Sequence, residues 1–198
     1  MAGVRQFDRE RVLDGLAEAF WAHGFEAASI EQLERATGLR RGSLYNAFGG
    51  KEAMFLAALD RYALRVAEPM QTALDDPDPR SGVARLLEAQ VILMTGAGAP
   101  GGCLAAGSCH ELGGREGRLG RKIAEDTRAH EAMILTALTR WRAAGRIVEG
   151  GDLRPLARFL VALMRGLAAL HRATGDVEAI RDAARTALAV LEPWVTRR

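Results

Sequence analysis

Apolar side chains recur at three- and four-residue steps along nearly the whole chain, the spacing of one face of an α-helix. A first helix is predicted from about Asp8 to His23, with Val12, Leu13, Leu16, Phe20 and Trp21 as its stripe. Gly24 stops it, because glycine tolerates the positive φ of a helix terminus. Ser29 and Gln32 stand at capping-box spacing, so a short second helix, Ser29–Thr37, is expected to turn Ile30, Leu33 and Ala36 inward. A turn, Gly38–Arg40, leads to a third short helix, Arg41–Phe48, with Leu44 and Phe48 on one face. Gly49–Gly50 break it, and Lys51 opens a long helix to about Leu74.

Asp75–Pro79 then interrupts the pattern. Further helices are predicted over Arg80–Met94, Leu104–Leu112, Arg118–Ala144, Leu153–Ala173 and Asp176–Val195. Thr95–Gly102 holds four glycines and a proline and is expected to be a loop. No alternating apolar–polar run bounded by turn signals predicts a strand. The expected fold class is therefore all-α, with about nine helices. Residues 1–50 form an N-terminal three-helix unit, and residues 51–198 a larger helical body.

Composition sharpens this picture only in places. The 198 residues carry 27 Lys plus Arg and 25 Asp plus Glu, a net charge of +2, which excludes a bulk polycation and an acidic disordered chain. The best apolar run, Ala157–Leu170, is broken by Arg158 and Arg165 and is too short to span a membrane. Met1–Glu10 lacks the apolar core of a signal peptide, so a cytoplasmic protein is expected. Cys103 and Cys109 are too few for a disulfide framework or a structural zinc site, and no cofactor is implied. Residues 1–60 hold seven basic and nine acidic side chains, a net of −2. The average hides a local feature: Arg35–Lys51 contains Arg35, Arg40, Arg41 and Lys51 and no carboxylate. Phosphate contact depends on such a local potential, because salt screens charges beyond about 8–10 Å.

Two short helices joined by a glycine-containing turn form a helix-turn-helix, whose second helix enters the DNA major groove. The string Thr37-Gly-Leu-Arg-Arg-Gly-Ser-Leu-Tyr-Asn-Ala-Phe48, followed by Gly-Gly-Lys-Glu-Ala-Met-Phe55, carries a resemblance. Residues 7–60 resemble the DNA-binding domain of TetR-family transcriptional regulators, with Gly38, Gly42, Ser43, Leu44, Tyr45, Phe48, Lys51, Glu52 and Phe55 in register. The candidate DNA-contacting set is Ser29, Arg40, Arg41, Ser43, Tyr45, Asn46 and Lys51. The resemblance implies phosphate contacts for Tyr45 and Lys51. Arg41 and Asn46 are the candidates for base edges, since Arg pairs with guanine and Asn with adenine bidentately. Gly42 lets the third helix come close to the second or to DNA. Position 40 is usually a small capping residue in the family. Here it is arginine, so the third helix lacks its usual cap and Arg40 is a second DNA-contact candidate.

One such unit reads too few base pairs for genomic specificity, so a two-fold dimer on a palindromic double-stranded operator is expected. The resemblance places the homodimer interface on the last two helices. Their stripes are Leu156, Phe159, Leu160, Leu163, Leu167 and Leu170, then Ile180, Ala184, Leu188 and Leu191. The same stripes would also serve as core within one subunit. The middle helices would enclose a pocket for a small-molecule effector. Tyr62, Met94, Met133 and Trp141 are its candidate lining residues, each equally suited to the core.

The segment Gly101-Gly-Cys-Leu-Ala-Ala-Gly-Ser-Cys-His-Glu-Leu112 resembles a TetR-family branch with a Gly-Cys-Leu motif, in which Cys103, Glu111 and Leu112 match. Some members of that branch respond to electrophiles or oxidants through this cysteine. Cys103 would stand at a helix N-terminus, where the macrodipole favours an anion. Three readings of it stand: a small packing residue, a thiol sensor, or a contact for a reversible ligand. A catalytic group of Cys103, His110 and Glu111 fails on spacing. Residues 103 and 110 lie roughly 10 Å apart along a helix, so no enzyme is expected. The function implied is a ligand-responsive repressor that leaves its operator when effector binds or the thiol is modified.

Overall fold

The computed structural model describes residues 8–196, so most of the Met1–Glu10 stretch read for a signal peptide lies outside the described residues. Among those residues nine α-helices follow one another: α1 (Arg9–His23), α2 (Ile30–Thr37), α3 (Arg41–Phe48), α4 (Lys51–Leu74), α5 (Pro79–Thr95), α6 (Leu104–Leu112), α7 (Arg118–Ala143), α8 (Arg154–Thr174) and α9 (Val177–Leu191). The expected all-α class holds. The one extended feature described is an isolated antiparallel bridge between Ile147 and Val195.

The helix ends follow local chemistry. Asp8 accepts from the N–H groups of Glu10 and Arg11 at the start of α1. The Ser29–Gln32 capping box forms with both of its bonds, at 2.7 and 3.3 Å. Gly38 and Gly175 close α2 and α8 in the left-handed conformation. Helix α5 begins at Pro79, one residue before the expected start, because Asp78 caps it and proline suits the first helical position. The expected last helix to Val195 is too long. Pro193 lacks an N–H, so α9 ends at Leu191 and one 3-10 turn, Glu192–Trp194, leads into the Val195 bridge.

A single apolar core runs through the chain. Helix α1 packs on both α2 and α4, and α4 continues onto α5 and α7; α8 packs on α7 and α9. Gly15 lets α1 and α2 touch: a Cβ there would stand 2.4 Å from the Ala36 carbonyl oxygen. Gly82 does the same for α5, where a Cβ would meet the Trp141 ring at 2.6 Å. Phe20, Leu33 and Leu44 are fully buried, as expected. Phe25, Ile30 and Phe48 are only half-buried; the Arg9 guanidinium covers Phe48 at 5.3 Å from the ring centroid. No helix among the described residues is long and apolar enough to cross a membrane.

Candidate nucleic-acid interface and internal cavity

Helix α3 buries Leu44 and presents Arg41, Gly42, Ser43, Tyr45 and Asn46 to solvent, with Arg40 exposed just before it. Its missing side-chain cap at Arg40 is replaced from a distance. The Glu34 carboxylate, on α2, accepts from the Arg41 backbone N–H at 2.8 Å. The Arg41 guanidinium lies over the Tyr45 ring at 5.5 Å, so the two form one exposed unit. Among the described residues no carboxylate pairs with the guanidinium of Arg35, Arg40 or Arg41. A Cβ at Gly42 would meet nothing within 4 Å. The expected close approach of α3 to α2 at this glycine is therefore corrected: the backbone there faces open space. Ser29 is half-buried and its hydroxyl is engaged in the capping box.

Lys51, the first residue of α4, donates to the Glu26 carbonyl oxygen at 2.9 Å, and its ammonium stands 5.2 Å from the Phe25 ring centroid. The same α1–α2 loop is held from the body. Glu111, near the end of α6, accepts from the N–H groups of Phe25 and Glu26 at 2.8 and 2.6 Å. Arg115 pairs with the Glu26 carboxylate. A Cβ at Gly24 would stand 2.8 Å from the Glu111 carboxylate, at a φ of 78° that glycine alone adopts readily. From α8, Arg172 donates to the Ala22 carbonyl oxygen at 2.8 Å and more weakly to those of Trp21, Pro100 and Gly101. Trp21 in turn donates from its indole to the Gly101 carbonyl at 3.0 Å.

Behind this junction lies a narrow cleft with about 630 Å³ of empty space, part of it open to solvent. Apolar side chains of α4, α5 and α8 supply most of its wall, among them Val66, Met70, Leu93, Val161 and Met164. Pro69 also lines it; lacking an N–H, it leaves the Arg65 carbonyl without its helical partner. Of the five residues expected here, Tyr62 and Cys103 do line the cleft. Cys103 stands at the N-cap of α6, as expected, and its sulfur accepts from the Tyr62 hydroxyl at 3.2 Å. Burial and the neighbouring thiol push the Tyr62 phenol well above its ordinary pKa, so it stays protonated. Cys103 also borders a second cavity between α1, α6 and α8.

The other three residues do not line the cleft. Trp141 is fully buried against Gly82, and its indole donates to the Asp76 carbonyl at 2.7 Å. Met94 is core, and Met133 is half-buried against the core. The polar residues that do face the cleft, Gln90, His130 and Arg165, were not singled out by sequence patterning. Each interrupts an otherwise apolar stripe, which is the one signal they carry. Arg165 donates to the His130 Nδ1 at 3.2 Å, which fixes the His130 proton on Nε2. Burial first and Arg165 second push the His130 pKa down to about 4, against a weaker pull from Asp126. Cys103 and Glu111 stand at opposite ends of α6 and are not brought together. Among the described residues no cluster of His, Cys, Asp and Glu could hold a metal ion.

An exposed, cation-bearing helix-turn-helix joined to a helical body with an internal cleft defines the class of DNA-binding transcriptional regulators. The model for bacterial regulatory proteins of the tetR family matches residues 12–58, and that for the tetracyclin repressor-like C-terminal domain matches residues 80–187. The chain belongs to the TetR family of transcriptional regulators. It is 30% identical over 184 residues to the transcriptional repressor ComR of Escherichia coli, covering 92% of this chain and 88% of that one. A cysteine-substituted form of the TetR-family regulator CifR, solved with a 26-base-pair operator DNA, superposes with a TM-score of 0.84 at 28% identity, covering 94% of this chain and 98% of that chain. A TetR regulator from Chloroflexus aurantiacus shares the fold, with a TM-score of 0.83 at 24% identity over 94% of this chain and 95% of that one.

Proposed function

We propose that the protein is a dimeric repressor, cytoplasmic in location, that leaves a palindromic operator when a small molecule enters the cleft. The observation that carries this reading is the exposed α3 face, where among the described residues no carboxylate pairs with the Arg40 or Arg41 guanidinium while Leu44 anchors the helix from behind. Arg41 and Asn46 read base edges. Arg40, Ser43, Tyr45 and Lys51 hold phosphates, and Ser29 supports them by fixing the start of α2. The similarity to ComR, itself a repressor, supports repression. A division into a DNA-binding head, residues 1–50, and a sensory and dimerisation body, residues 51–198, fits this reading.

The dimer forms through α8 and α9. Within one subunit the α8 stripe divides: Leu156, Leu160 and Leu167 are buried, while Leu170 is exposed and Phe159 and Leu163 are half-buried. Beside them Ala162, Gly166 and Ala169 are exposed, so a partner backbone can come close. On α9, Ala184 and Leu188 remain half-buried. A two-fold pair sets the recognition helices about 34–36 Å apart, one DNA turn.

A gel shift on the DNA upstream of the protein's own gene tests the assignment. Arg41→Ala weakens the specific complex by about 1–3 kcal/mol and leaves random DNA unaffected; Lys51→Ala weakens both and flattens the salt dependence. Equal losses on both DNAs for Arg41→Ala remove its base-reading role.

A second trigger is supported by the position of Cys103, which borders two cavities and caps the helix that carries Glu111 in its last turn. Alkylation by N-ethylmaleimide would push α6 away from Tyr62. The wild type then releases operator and Cys103→Ser does not; equal release by both removes the thiol from the mechanism.

A further inference from the structure

The cleft has an uneven chemistry. Most of its wall is apolar, yet α8 places Arg165 in it and α4 places Arg65 at its edge, and no acidic side chain lines it. Among the described residues neither guanidinium pairs with a carboxylate. Arg165 has one described partner, neutral His130, leaving most of its five N–H donors unmatched. Arg65 is exposed and stacks over the Trp21 and Tyr62 rings, at 5.4 and 5.5 Å.

Gln90 gives an independent indication. It is 7% exposed, on α5, and no described group hydrogen-bonds its amide. Gln90 is one of the residues that line the cleft. A buried amide without a partner is unfavourable unless something completes it. A cation without a counter-ion in an apolar wall has the same need.

We propose that the cleft is built for an amphiphilic carboxylate, with the head on Arg165 and Gln90 and the apolar body along Val66, Met70, Leu93 and Met164. The proposal rests on the reading of this cleft as the effector site. The head must be anionic because a neutral polar group would leave the Arg165 charge uncompensated, and a cation would be repelled by it. His130 reinforces this choice. Being neutral, it brings no second positive charge, and as an acceptor it holds the guanidinium in place.

Calorimetric titration of the full-length protein with octanoate, octanol and octylamine tests the charge requirement. Octanoate should bind about 10–100-fold more tightly than octanol, the range for hydrogen bonds to a charged group, and octylamine should not bind. Arg165→Met should abolish the preference for octanoate over octanol, Arg165→Lys should retain most of it, and thermal melting checks that each variant is folded. Gln90→Leu should weaken octanoate and leave octanol unchanged. No saturable binding of octanoate, equal binding of octanoate and octanol, or a preference that survives Arg165→Met overturns the proposal. A parallel gel shift separates it from the functional reading. Arg165-dependent binding that leaves the operator complex intact upholds the carboxylate site and overturns its effector role. Release of operator by octanoate without dependence on Arg165 does the reverse.

Discussion

At the scale of single residues, the groups that matter most are those whose partners lie far away in sequence. Arg165 donates to His130 across 35 positions, and burial first, with Arg165 second, keeps the imidazole neutral. The folded state therefore resists protonation of His130 down to about pH 4, whereas in the unfolded chain the group titrates near 6.5. Its contribution is complete above pH 6.5, is lost as pH falls, and stops changing below about 4. Between pH 7 and pH 5 this amounts to about 2 kcal/mol. Denaturant titrations should show that loss in the wild type and not in His130→Gln; parallel pH profiles would refute it. The sequence disclosed residues of a different kind. Leu44 was legible because its burial, and the exposure of Tyr45 beside it, follow from local register on one short helix. Gln90, His130 and Arg165 were not, since a polar residue within an apolar stripe says nothing about which other helices meet it. Trp141 misled for the converse reason: it has the size of a pocket residue, but its size fills the space left by Gly82.

At the scale of elements, caps and breaks were legible and junctions were not. The Ser29–Gln32 box, the glycine stops and the break at Asp75–Pro79 follow from residues within a few positions of one another. The end of α9 departs from the apolar stripe because Pro193, without an N–H, cannot continue the helix that the stripe alone predicts. The grip of α6 on the α1–α2 loop spans about 85 residues and left no local trace. That grip makes α6 a strut. Its first turn starts at Cys103 on the cleft wall, and its last holds Phe25 and Glu26 through Glu111. Those N–H groups are only partly buried, so water can replace some of what the carboxylate supplies. Glu111→Ala should lower stability by about 1–3 kcal/mol and accelerate amide hydrogen exchange at Phe25 and Glu26 in particular. Unchanged exchange at these two amides would show that the strut does not hold the loop.

At the scale of the whole molecule, the helix-turn-helix and the cleft belong to one connected body. The core is continuous from α1 to α9, and Arg172 joins the end of α8 to the end of α1. A displacement of α6 or α8 therefore reaches the head through hydrogen bonds to its backbone. Coupling of this kind typically amounts to about 1–3 kcal/mol. The same α8 faces a partner subunit in the proposed dimer. Gly166 offers a selective test, because a Cβ there meets nothing within the subunit. Gly166→Arg should leave the fold intact, give a monomer in sedimentation at micromolar concentration, and lose operator affinity. A persistent dimer would exclude this face of α8.

The distant cap on α3 also bears on how such regulators acquire new operators. Because Glu34 completes the first turn of α3, position 40 is released from a structural duty and, in the proposed complex, can vary with the DNA. The same arrangement makes residues 41–48 a poor transplant: moved into a scaffold without a carboxylate at the equivalent of Glu34, the helix would arrive with its first N–H bare. On the proposed reading of α3, the inheritable unit of specificity is thus α2 and α3 together, and a redesign of operator preference must carry both.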